Sequence, residues 1–243
     1  MTIGQQAVAI NMAFGVVGEL FLDGPLRGQP GIIDSDGVTP AFNRVGRVFT
    51  HVAAADGHVT VGGSGVFAGI LANPKVYPLF GTASGGSLAP SLDLGQYAIG
   101  EFVYDTTGII VSLAAAANIG DLVDYVVATG VIVTRAATTP ASGAQRVAFA
   151  SNVATVTLMP AGSPQIKVGT VLVSGGKTTT VLSLGTGTGG NGTYNVGTIA
   201  DAGAAAFAFS NADPVSGNAN VPGFQVVRYN IPGAGLAVIG NIN

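Results

Sequence analysis

The strongest constraint on this chain is its punctuation. Glycine takes 38 of 243 positions. Between the glycines run short stretches of Val, Ile, Thr, Tyr and Phe, bounded by Gly, Asp-Gly, Asn and Pro. Helical periodicity is scarce, and such runs read as strands closed by turns, so the chain is expected to be mainly β. Arg44–Ala54 alternates, meets Asp56-Gly57 as a hairpin turn and resumes at His58–Val61. Glu101–Tyr104, Gly108–Leu113, Asp121–Val127 and Gly130–Arg135 follow at roughly the 8–12-residue spacing of sandwiches and barrels. Ala114–Asn118 offers at most one helical turn before Gly120.

Composition then shifts. Residues 148–210 carry only Lys167, Lys177 and Asp201 as charged groups, and they read as small hairpins. Strands are expected at Ala154–Leu158, Val168–Val173, Thr178–Leu184 and Thr193–Val196, with turns at Gly175-Gly176 and Gly185–Gly192. A Pro/Asn/Gly linker, Asn211–Asn220, leads to a strong strand at Phe224–Tyr229 and a turn at Ile231–Gly235. The expectation is a β-sandwich or barrel-like core of residues 21–147 plus 211–243. It is interrupted by an inserted small β-hairpin domain, 148–210, and preceded by an extended N-terminal arm, 1–20. Loop tips are where such insertions are tolerated.

Charge narrows the function. Only 9% of residues are charged, from 9 Lys/Arg and 12 Asp/Glu, against about 25% in an ordinary domain. A folded chain of this mass exposes roughly 9,900 Å², which leaves one charge per roughly 470 Å². That polar coat is thin for a free monomer and suits a surface covered by other protein. The chain therefore reads as an assembly component. A net charge of −3 without a basic run leaves no electrostatic footprint for nucleic acid. No cysteine is present, which removes disulfides, thiolate zinc sites and thiol catalysis together and fits assembly in a reducing cytoplasm. Uncharged stretches such as Thr178–Ala200 are broken by Gly, Thr and Asn, so no membrane span is expected. The N-terminal residues lack the basic region of a signal peptide and read as a retained, apolar arm.

Several motifs resemble chemistry without its frame. Gly185–Gly190 satisfies G-x-G-x-x-G, but turn and strand follow where a dinucleotide site needs a helix. Asp34-Ser-Asp36-Gly37 opens like a calcium loop, yet Val38, Thr39 and Val45 stand where later ligands and the required glycine belong. A turn with solvated carboxylates is expected there. His51 and His58 flank the Asp56-Gly57 turn and are expected to approach each other, though two imidazoles without a third ligand make a poor zinc site. Gly63-Ser64-Gly65 lacks the strand-to-helix turn of a nucleophile elbow. Asp121 and Asp124 would face opposite sides of a strand, against an acid/base pair. The expectation is no enzyme, with no catalytic, cofactor-binding or metal residue.

Two stretches carry a resemblance. The first is the order Gly18-Glu19, Gly31, Gly37-Val38-Thr39, Val45–Phe49, Gly65–Leu71 and Ile119–Tyr125, closed by Val221–Phe224 and Gly233–Ile239. It resembles the structural cement, or head decoration, proteins of tailed bacteriophages, over roughly residues 15–146 and 215–243. The second, Gly185–Val196 with the strand pattern before it, is similar to a small β module recurring in phage virion proteins. The resemblance implies a non-enzymatic protein made in a bacterial cytoplasm and placed on the outer capsid surface. There it would bridge neighbouring major capsid proteins of the expanded head. It also implies a symmetric homo-oligomer, a trimer being favoured over a dimer.

On that reading Phe14, Leu20 and Phe21 are candidate capsid contacts, forming a docking arm that orders on binding; burial in the protein's own core is the other account. Arg27, Arg44 and Arg47 are candidate pairing groups for an acidic capsid surface, through the planar guanidinium. Solvation of turns and strand edges explains them equally. The alternative function is a tail, fibre or spike component that binds the host surface. Repeats, heptads and aromatic sugar-stacking clusters are missing from the sequence, and a hydrolase would need converging groups that the motifs do not supply.

Overall fold

The computed structural model describes residues 15–20, 24–39, 41–73, 93–229 and 235–241. Over these the chain forms seventeen strands, numbered in chain order, and the fold is mainly β with a barrel-like core. Five strands close a barrel in the order β1-β3-β2-β4-β5. They are β1 (Leu26–Ile33), β2 (Val48–His51), β3 (His58–Val61), β4 (Phe67–Leu71) and β5 (Ile99–Thr106). The hairpin expected around Asp56-Gly57 is present, with Phe49 opposite Val61 and His51 opposite Val59. Alternation then turns Phe49, Val59 and Val61 inward beside Ile33, Leu71 and Phe102. The rings of Phe49 and Phe102 meet at 5.0 Å between centroids.

A second sheet has the order β6-β17-β16-β7-β8. It contains β6 (Ile109–Leu113), β7 (Leu122–Val126), β8 (Ile132–Arg135), β16 (Asn218–Tyr229) and β17 (Gly235–Asn241). Barrel and sheet are one body, because Val48 and Ile70 of the barrel share a core with Ile109, Val123, Phe224 and Ile239 of the sheet. Their backbones also touch. Gly63 N donates to Val127 O at 2.7 Å and Val48 N to Gly130 O at 2.9 Å. The approach requires glycine at position 62: its φ is +64°, and a Cβ there would lie 2.3 Å from Val127 O.

Residues 15–20 belong to this body. Gly18 N donates to Ile110 O at 2.7 Å, and Ile110 N donates to Glu19 O at 2.9 Å. Leu20 bridges to Ile109 and packs on the shared core. The reason is that β6 is an edge strand whose free backbone groups need partners. The described end of the expected arm is thus a cover for that edge. No helical turn forms at Ala114–Asn118, which is irregular. The expected linker ends early, because β16 already begins at Asn218.

The third sheet has the order β10-β11-β14-β13-β12-β15-β9. It is built from β9 (Thr138–Thr139), β10 (Arg146–Ala150), β11 (Val153–Leu158), β12 (Val171–Ser174), β13 (Lys177–Leu184), β14 (Gly192–Val196) and β15 (Ala202–Ser210). β10 pairs with β15 as well as β11, so the ring of strands closes on itself. Its core, including Phe149, Leu172, Val181, Tyr194, Phe207 and Phe209, shares no residue with the other two clusters. The composition shift at 148 falls inside β10, and β9 precedes it.

Candidate interaction surface

Of the six candidate contacts, Phe14 and Phe21 lie outside the described residues, and Leu20 is packed against the core. The three arginines are not brought together as a free basic patch. Arg27, at the start of β1, has its Nε 3.8 Å from Asp105 Oδ2 of β5. Arg44 donates to both oxygens of Asp93, from Nε at 2.7 Å and from Nη2 at 3.2 Å. Its guanidinium carbon also lies 5.4 Å from the centre of the Phe42 ring. Arg47 is half-buried and donates from Nη1 to Phe42 O at 3.3 Å and Thr129 O at 3.1 Å. Burial, and then the charge of Arg44, push its pKa down. Arg44 and Arg47 therefore spend their hydrogen bonds on their own chain, one at the barrel rim and one at the junction of barrel and sheet.

A surface that the sequence reading missed forms at that rim. The turn Gly95–Ala98 leads into β5, is held to the end of β1 by three hydrogen bonds and is closed by a fourth of its own. Tyr97 N donates to Ile33 O at 2.7 Å, Ile33 N to Ala98 O at 3.0 Å, and Ala98 N to Gly95 O at 3.2 Å. Gln96 Nε2 donates to Asp34 O at 2.8 Å. Tyr97 takes φ +62°, a left-handed conformation that is an outlier for a bulky residue and is kept only where surrounding bonds enforce it. Its side chain is nonetheless 65% exposed. Beside it Ile99 is 54% and Phe42 48% exposed, and Val38 on the facing loop is 71% exposed. Phe42, Leu94, Tyr97 and Ile99 line a cavity of about 710 Å³, with Asp36 at its margin.

Asp36 is fixed by its own loop. Its Oδ1 accepts Val38 N at 2.8 Å and Thr39 N at 2.9 Å. These two bonds, Thr39's first, hold its carboxyl below the ordinary range. The calcium-like start is thus a turn, as expected from Asp-Ser-Asp-Gly. Asp34 faces elsewhere, its Oδ1 lying 3.3 Å from His58 Nδ1. Among the described residues no three metal-binding side chains cluster.

His51 and His58 do not meet. Register sets His51 opposite Val59, so His58, one residue away, points to the other face of the sheet. His51 Nε2 lies 3.1 Å from Gln29 Nε2, and His58 pairs with Asp34. The glycine-rich Gly185–Gly190 loop runs into strand β14, and the Tyr194 phenol fills it, donating to Gly190 O at 2.6 Å. Asp121 accepts Asn118 N at 2.7 Å in a turn. Asp124 lies in β7 and accepts Arg135 Nε at 2.6 Å and Asn220 Nδ2 at 3.1 Å.

Among the described residues, what the fold and this rim define is a strand-built protein that exposes large apolar side chains among few charges. Neither the known protein families nor the curated protein sequences contain a match to this chain.

Proposed function

We propose that this chain is a structural cement protein of a tailed-phage head, which binds the outer shell surface and bridges neighbouring major capsid proteins. The observation that carries the proposal is the pairing of 9% charged residues with large apolar side chains left exposed, Val38, Val66, Tyr97 and Ile119 on the loops and turns of the β body and Leu182 on β13. Interfaces favour aromatic and aliphatic anchors with few charges to desolvate. Repetition over a symmetric shell multiplies modest contacts through avidity. The partners are the major capsid protein and further copies of this chain, as a trimer. The order of glycine turns and strands that resembles cement proteins supports the same reading. Copy number tests it, by quantitative mass spectrometry of purified virions against the major capsid protein. Abundance near that of the shell protein supports cement, whereas a few copies per particle overturn it. That second result would favour a tail, fibre or spike role, for which the closed third sheet with its own core would suit a separate host-binding module.

A further inference from the structure

We infer that the groove between Phe42, Tyr97 and Ile99, which Asp36 also lines, docks a protein segment presenting an apolar side chain beside a lysine or arginine, the cation meeting Asp36. The inference rests on the cement reading in one respect: it assigns that segment to the shell protein.

The apolar half of the argument is preorganisation. Tyr97 stands in a left-handed conformation, locked by backbone bonds to β1, with its ring in solvent. An aromatic whose backbone is already fixed loses less freedom on binding, and tyrosine is among the residues that most often anchor interfaces. Ile99 and Phe42 extend the same apolar wall. Burial of Tyr97 in its own core is not what the strained backbone achieves, since the ring remains exposed.

The charged half is a matter of which groups are already used. Asp93 is gripped by both nitrogens of Arg44, and Arg44 is in turn stacked at Phe42. Asp34 faces His58. Asp36 accepts only backbone N–H groups, which leaves its charge uncompensated by any cation among the described residues. Of the two carboxylates that line the groove, Asp93 is thus already neutralised by Arg44, and Asp36 is the one left without a cation among the described residues. The groove's complement is an apolar anchor flanked by a cation, and an acidic segment would be repelled.

The test uses the full-length protein and expanded heads of the virus that carries it, stripped of this protein, with binding read by co-sedimentation. Two variants are chosen to preserve the fold. Tyr97→Gly places at φ +62° the residue that most readily adopts it. Asp36→Asn keeps a side-chain oxygen for Val38 N and Thr39 N while removing the charge. An unchanged circular-dichroism spectrum and a cooperative melt confirm folding. Tyr97→Gly is expected to weaken binding about tenfold or more. Asp36→Asn is expected to weaken it about two- to fivefold and to flatten its salt dependence. Both variants binding as wild type does would overturn the groove while leaving the cement reading intact. Failure of wild type itself to bind heads would overturn the shell assignment. Self-association of wild type that Tyr97→Gly abolishes, seen by sedimentation velocity without head binding, would make the occupant a second copy and overturn the shell partner.

Discussion

In the barrel-and-sheet body, Asp124 is 2% exposed and is held by Arg135 of β8 and Asn220 of β16. The third sheet buries no such ion pair among its described residues, and its Lys167–Asp213 contact is exposed. Its polar groups close instead on neutral side chains. Thr179 Oγ1 donates to Gly197 O at 3.0 Å and Ser174 Oγ to Ala206 O at 2.8 Å. Gln145 Nε2 donates to Pro140 O at 2.8 Å and also to Phe207 O. The contrast teaches that a near-absence of charge is not a near-absence of polar structure. Hydroxyls and amides satisfy buried carbonyls without the desolvation cost that a buried charge carries. The body, by contrast, ties the strand leaving for the third sheet and the strand returning from it through one carboxylate.

The comparison breaks most readily at Asp124. Asp124→Ala leaves Arg135 nearly buried and unpaired and is expected to cost about 3–5 kcal/mol, whereas replacing both residues together with apolar ones of similar volume should cost far less. If the two regions unfold separately, calorimetry of Asp124→Ala shows the body's transition lowered and the third sheet's unmoved. A shift of both by the same amount would make them one cooperative unit and erase the distinction.

Gly62→Ala addresses the weld between barrel and sheet. The new Cβ meets Val127 O at 2.3 Å, from a backbone at φ +64°, so strain and clash together are expected to cost about 2–3 kcal/mol. Here too only the body's transition should move. In the opposite direction, Tyr194→Phe removes the phenol that donates to Gly190 O and accepts from Gly189 N. The expected loss is about 1–2 kcal/mol, confined to the third sheet's transition. Denaturant melts followed by tyrosine fluorescence check its size. A body transition that moved instead would refute the independence of the two cores.

How much of this was legible in sequence follows the same division. The β2–β3 hairpin was readable because alternation and Asp56-Gly57 agree, and so were β13 and β14 because Thr/Val runs flank glycine turns. β15 was not. Its sequence, AGAAAFAFS, is poor in strand formers, and it is a strand because β10 and β12 pair with it on both sides. β1 was hidden by Gly28, Pro30 and Gly31. Pro30 stands opposite Glu101 of β5, but its N faces the β3 side, as that of Ile32 does, and the pairing to β3 covers only Ile32 and Ile33, so the missing N–H is not needed. At the rim, the arginines were visible as charges, but the carboxylate that engages Arg44 lies 49 residues away. Tyr97 carried no signal, because a left-handed tyrosine is dictated by the bonds of the Gly95–Ala98 turn to Ile33 and Asp34 and not by residue type.

The smallest effects are titrations, and they have opposite signs in two parts of the same body. Burial pushes the Asp124 carboxyl above the ordinary 3.8, outweighing the opposing pull of Arg135 and Asn220. Folded Asp124 thus holds its proton more tightly than unfolded Asp124. Its contribution is fully present below pH 3.8 and is lost as pH rises through the folded value. Asp36 is displaced downward from 3.8 by Thr39 N and Val38 N, so its contribution is present above pH 3.8 and lost as pH falls through the folded value. Melting temperatures of wild type, Asp124→Asn and Asp36→Asn between about pH 3 and 7 separate the two. Acidification should raise wild type relative to Asp124→Asn and lower it relative to Asp36→Asn. The second shift is the smaller, because Asp36 is solvent-exposed and screened. If both differences moved in the same direction, one of the two carboxylates would not have the surroundings described for it, and Asp36, the anion on which the groove's choice of partner depends, would be the first to re-examine.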